Sequence, residues 1–188
     1  MKAALYLPNV LDRLGVESMT AEVDKHPDWL DRLWNRALQL QPIEEEEHCN
    51  SSVCHRLTFL FGLLWEHDRL NDATHSTLGE QCGVGNIDLF EQLALIARRK
   101  HLVMADGTDS YLPNVGRLAF PITFLHGAEN IVFEPDGTEQ SLRWLSDANG
   151  SEFYARHVLE GYGHLDPIIG REAARDVYPL IVQHLEAK

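Results

Sequence analysis

His164 stands in the run Gly161-Tyr162-Gly163-His164-Leu165-Asp166, after an apolar stretch and before a long amphipathic pattern. A histidine between small residues in a strand-to-helix loop is where hydrolases built on a parallel sheet keep their general base. Upstream, the apolar run Phe120–Leu125 leads into His126-Gly127-Ala128-Glu129-Asn130, which offers a carboxylate and an amide as partners for an imidazole. The nucleophile that such a base would activate is missing: no G-x-S-x-G elbow occurs in the 188 residues. Ser18, Ser51, Ser52, Ser76, Ser110, Ser141, Ser146 and Ser151 all fall in capping, turn or helical contexts.

Two further clusters have metal-ligand types. His48, Cys49, Cys54 and His55 place two thiols with four residues between them and flanking imidazoles, but the second matched pair of a zinc finger is absent. The plainer reading is a loop-to-helix junction with small buried cysteines. Glu66, His67, Asp68, Asp72 and His75 could likewise hold a cation, or form a helix end with a solvated polar turn. No cofactor is expected: Gly79, Gly83 and Gly85 lack the spacing and the preceding strand of a dinucleotide fingerprint.

The formal charge of −13 argues against a nucleic-acid face or an anionic-membrane surface, which need clustered Lys and Arg. The longest apolar candidate, Leu57 to Trp65, is interrupted by Thr58 and Gly62 and is too short to span a bilayer. Met1-Lys2-Ala3-Ala4-Leu5, followed by Pro8 and Asp12, does not read as a secretory signal. Three cysteines, an odd number, imply reduced thiols and a cytoplasmic location.

The elements that must position these groups fall into two regions, 1–117 and 118–188. The first is almost all helical in pattern. Asp24 and Pro27 open a helix whose Trp29, Leu30, Leu33, Trp34, Ala37 and Leu38 form one apolar stripe. Glu44–Glu47 reads as a solvated turn. Ser51 or Ser52 caps a helix with Val53, Leu57, Leu60, Phe61, Leu64 and Trp65 inside, and Asn86 caps another that ends in Arg98, Arg99 and Lys100. Asp106–Asp109 is a turn.

In the second region, Phe120–Leu125 is a buried parallel-type strand with Pro121 at its start. Thr138 caps a helix over 139–148 that Gly150 stops, 153–159 is a second strand, and 171–186 is a final helix bent at Pro179. Strand–helix–strand–helix order implies a parallel pair with a right-handed crossover.

These residues resemble the last part of an α/β-hydrolase: Ile122-Thr123-Phe124-Leu125-His126-Gly127-Ala128-Glu129-Asn130, then Pro135, then Gly161-Tyr162-Gly163-His164. In that family the seventh strand runs into G-x-x-D, which carries the triad acid, and the loop after the eighth strand carries the triad histidine. The resemblance puts His164 at the base position and Asn130 at the acid position, with Glu129 beside it.

Leu5-Tyr6-Leu7-Pro8, Cys49-Asn50-Ser51-Ser52-Val53-Cys54, Trp65-Glu66-His67-Asp68 and His126–Asn130 are similar to the hydrolase-like C-terminal portion fused to some bacterial glucose–methanol–choline oxidoreductases of the cholesterol-oxidase-like group. The fold class this implies is a partial α/β-hydrolase: a helical lid over 1–117, then the α/β unit with a short parallel sheet over 118–188. The implied parent activity is hydrolysis of an ester or acyl bond on an apolar substrate, inactive in this chain alone. Rival readings are a lipid- or steroid-binding or interaction module, and the base-supplying half of a two-chain hydrolase or oxidoreductase assembly. The implied partners are a chain carrying the missing hydrolase strands, or a second copy joined through the Ile122–Leu125 strand edge.

Overall fold

A computed structural model describes residues 18–20 and 29–186. Asp24, Pro27 and the segment Leu5–Pro8 lie outside the described residues. Helix and strand are mixed. The first region holds β1 (Ser18–Thr20), α1 (Trp29–Leu38), α2 (Ser52–Phe61), α3 (Asp72–Ser76), α4 (Leu78–Gln81), β2 (Val84–Asn86) and α5 (Ile87–Arg99). The second holds β3 (Ile122–Gly127), α6 (Asp136–Asn149), β4 (Tyr154–Leu159), α7 (Asp166–Ile169), α8 (Ala173–Asp176) and α9 (Tyr178–Glu186). Short 3-10 turns sit at Glu45–Glu47 and His67–Arg69.

β3 and β4 pair in parallel, from Ile122 opposite Tyr154 to Gly127 opposite Leu159, with α6 as the connection. Pro121 precedes the ladder and so removes no donor from it. α6 starts at Asp136, earlier than the expected Thr138 cap, because Pro135 already has helical angles (φ −54°, ψ −30°). Thr138 is therefore inside the first turn, where its hydroxyl donates to Pro135 O at 3.0 Å and accepts from Arg156 Nε at 3.0 Å, tying helix to strand. Gly150, at φ +96°, ends α6. Residues 151–153 form a 3-10 turn, so the second strand begins at Tyr154.

The single final helix expected over 171–186 is two. The first ends at Val177, which stays in the right-handed region but with φ stretched to −112°, and Pro179 has no N–H to bond the carbonyl four residues earlier. α7 was not anticipated, and neither was the antiparallel β1–β2 pair, Ser18 opposite Asn86, inside the region read as helical.

α2 is capped by Ser51, whose Oγ accepts from Cys54 N at 3.2 Å, and it stops at Gly62 (φ +89°). Leu64 and Trp65 thus lie beyond the helix. Trp65 joins Cys54, Leu57, Leu70 and Leu78 in a buried cluster. α5 is capped by Asn86, as its sequence suggests.

The stripe on α1 is not covered. Trp29, Leu33 and Trp34 are 66%, 59% and 45% exposed, while Leu38 is buried. α1 instead meets α2 through polar contacts, with Arg56 donating to Asn35 (3.1 Å) and to Asp31 (3.4 Å), and through Trp34 edge-on to Phe59. Apolar spacing defines a stripe. What lies against it is a separate fact.

The segment 64–69 is laced to the loop after β4 and to both ends of α7. Leu165 N donates to Leu64 O (2.7 Å), Arg171 N to Arg69 O (2.7 Å), and Glu66 N to Asp166 Oδ2 (3.0 Å). The Arg69 guanidinium also lies 4.7 Å from the centre of the Tyr162 ring.

Candidate functional site

Parallel strands deliver their following loops to the same sheet edge. Gly127 closes β3 and Leu159 closes β4, so the loops carrying Asn130 and His164 emerge side by side. Ala128 N donates to Leu159 O (2.9 Å) and Glu129 N to Tyr162 O (3.0 Å). The approach is so close that a Cβ on Gly127 would fall 2.0 Å from Gly163 O and 2.1 Å from Tyr162 O. Only glycine fits there.

Asn130 is buried, and its Oδ1 accepts from Val132 N (3.1 Å) and Phe133 N (3.0 Å). This holds its Nδ2 toward Nδ1 of His164, 3.1 Å away. An amide NH2 only donates, so Nδ1 is the acceptor and the proton of the neutral ring sits on Nε2. A triad base has the reverse tautomer, with Nδ1–H pointing at a carboxylate and a free lone pair on Nε2. Burial lowers the pKa of His164, and the nearby His126 lowers it further. The Phe133 ring lies 5.3 Å from the imidazole.

Glu129 is exposed, and its backbone N–H is what ties it to the His164 loop, through Tyr162 O. Of the two acid candidates, the structure therefore brings Asn130 to His164. Glu66 is a carboxyl the sequence reading did not connect with this loop. A Cβ on Gly163 would lie 3.3 Å from its Oε1, and burial, with help from the Glu47 and Asp166 carboxylates, raises its pKa to about 7.

Asp166 was also missed. It is fully buried, and its Oδ2 accepts from Gly163 N (2.6 Å) and Glu66 N (3.0 Å). It thereby fixes the residue before His164 and the segment 64–69 with one oxygen. Burial raises its pKa despite those two bonds. The only hint in the sequence is its place two residues after His164, at a helix start.

A second constellation lies in the helical region. The Sγ atoms of Cys49 and Cys54 and one ring nitrogen each from His67 and His75 all lie within 4.8 Å of one another. His67 Nε2 is 3.2 Å from Cys54 Sγ, and its Nδ1 is 2.6 Å from Glu47 Oε2. Glu47 is buried, not a solvated turn residue as its run suggests, because both its oxygens also accept from His67 N. The thiols share their proton unequally: the neighbouring thiol of Cys54 holds the pKa of Cys49 low, and Cys49 and burial push that of Cys54 up.

The structure thus splits both metal-type clusters seen in the sequence and joins Cys49 and Cys54 of the first to His67 and His75 of the second. His55 bonds the Cys49 carbonyl through Nε2 (2.7 Å), and His48 is exposed. Asp68 and Asp72 are exposed too.

No protein-family profile matches the chain, and no curated protein or solved structure matches it either.

Proposed function

We propose that this chain is the lid and last-strand portion of an α/β-hydrolase-like unit of the ester or acyl hydrolase type, with an apolar parent substrate. His164 stands at the base position and Asn130 at the acid position, and the chain alone is not hydrolytic. The observation that carries this reading is the 3.1 Å contact between the two side chains at the carboxyl ends of adjacent parallel strands. Three features support inactivity in isolation. There is no serine elbow. The proton sits on the nitrogen that would have to accept one. Among the described residues, an amide rather than a carboxylate faces Nδ1, so no negative charge there stabilises an imidazolium.

The test is turnover of a nitrophenyl ester by the purified chain. We expect none above buffer. Turnover that disappears in His164→Ala would overturn the reading.

The unit is proposed to act in the cytoplasm with a partner that completes its sheet, either a chain bearing the other hydrolase strands or a second copy joined at Ile122–Leu125. Among the described residues, β3 and β4 each pair on one side only. Exposed Phe120, Ile131, Phe133 and Val158 lie in or beside these strands, and exposed Tyr178, Ile181, Val182 and Leu185 crowd α9. Such a set marks a surface that something covers. No helix among the described residues is long and apolar enough to cross a membrane. Sedimentation distinguishes the partners: a dimer supports self-pairing, and a mass of 21.4 kDa leaves the sheet to a different chain.

The exposed Trp29, Leu33 and Trp34 stripe favours one second reading, an apolar ligand-binding or interaction module working through α1.

A further inference from the structure

We propose that Cys49, Cys54, His67 and His75 bind one zinc ion in a closed, structural site. Two sulfurs and two imidazole nitrogens within 4.8 Å of one another form the donor set that zinc takes tetrahedrally. Bond lengths of about 2.3 Å to sulfur and 2.0–2.1 Å to nitrogen set ligand separations of roughly 3.3–3.8 Å around the metal. From separations of 4.8 Å or less, the four atoms need to close in by about 1.5 Å at most to reach that range.

Each ligand is held by its own local structure. Cys54 sits in the first turn of α2, fixed by the Ser51 cap. Cys49 precedes that turn, and its carbonyl is bonded by buried His55. His67 is in the 3-10 turn after α2, and His75 is in α3. The spacing C-x4-C-x12-H-x7-H takes one ligand from a loop and three from successive elements.

Two further observations point to a cation. His67 directs its Nδ1 at the buried Glu47 carboxylate, the outer partner that orients a metal-bound imidazole and raises its basicity. Nε2 of His75 is buried with no hydrogen-bond partner. A cation bound through that nitrogen would satisfy it. Two thiolates balance a dication, and their protons leave to solvent on binding. With four protein ligands the ion has no open position, so its role is to pin elements rather than to activate water. The pinned segment includes His67, next to Glu66, whose N–H shares Asp166 with the His164 loop. The site therefore stiffens the face against which that loop rests.

The test is metal content of the full chain, purified under reducing conditions, supplied with zinc and dialysed. About one zinc per chain is expected. Cobalt in its place should show the visible bands of a tetrahedral thiolate centre. Cys54→Ser and His75→Ala should lose the equivalent of metal, and Glu47→Gln should weaken zinc binding by about 10–100-fold. Cys82→Ser and His48→Ala should retain it in full. If the ligand variants do not fold, the wild-type cobalt spectrum decides alone. Background zinc in the wild type, a cobalt spectrum without thiolate character, or full zinc retained by Cys54→Ser would each overturn the proposal. So would a Cys49–Cys54 disulfide in a metal-free chain isolated without reductant.

Discussion

The amide nitrogen of Asn130 donates to Nδ1 of His164 across 3.1 Å, while the oxygen of the same amide is taken by Val132 N and Phe133 N. A carboxylate in that place would accept from all three. With an amide there instead, the imidazole carries its proton on Nε2, and four expectations come from this corner of the fold.

Asn130→Asp should move the ring proton to Nδ1 and raise the His164 pKa by about one unit or more, since an opposite charge within hydrogen-bond reach favours the imidazolium. Nitrogen chemical shifts of the imidazole through a pH titration report both quantities. An unchanged tautomer would show that the amide does not control the ring. Ester turnover should remain absent, because no serine is supplied.

Stability should fall on acidification through His164. Its folded pKa lies below the ordinary value because burial and then His126 disfavour the charged ring. The contribution is complete above the unfolded value of about 6.5 and is lost as pH falls toward the folded value, where the unfolded chain binds the extra proton. Denaturant midpoints at pH 7.5 and 5.5 should differ more in the wild type than in His164→Gln. Equal differences would count against the burial of the imidazole.

Gly127→Ala should cost about 1–3 kcal/mol or more, because the added methyl meets two backbone carbonyls that cannot rotate away. It should also separate the loops and break the contact between Asn130 Nδ2 and His164 Nδ1. Gly137→Ala is the contrasting change: nothing lies within 4 Å of its Cβ position in α6. It should be neutral or stabilising by up to about 1 kcal/mol. Similar losses in the two variants would mean that the close approach at Gly127 is not real.

Asp166→Ala should destabilise by about 2–4 kcal/mol, leaving the N–H groups of Gly163 and Glu66 unpaired in a buried place. Asp166→Asn keeps an oxygen that can accept both and should lose clearly less. Urea unfolding of the pair decides; equal losses would assign the effect to packing instead of to those two bonds.

Much of the α/β unit is legible in the chain itself. A continuous apolar run bounded by Pro121 and the Gly127 loop makes β3, Gly150 ends α6, and the glycines around His164 put it in the loop after β4, because these are local steric and burial preferences. The caps at Ser51 and Asn86 are local in the same sense. Tertiary structure alone decided the partnerships. Asn130 rather than Glu129 faces His164 because a turn stabilised by Val132 and Phe133 buries the one and exposes the other. Glu47 is drawn from an acidic run into the interior by a histidine 20 residues away. Cys49 and Cys54 meet His67 and His75, not His48 and His55, because α2 and the turn after it carry the later histidines back to the start of the helix. The covering of an apolar stripe is equally non-local: helical spacing placed Trp29, Leu33 and Trp34 on one face, and only packing could leave that face exposed.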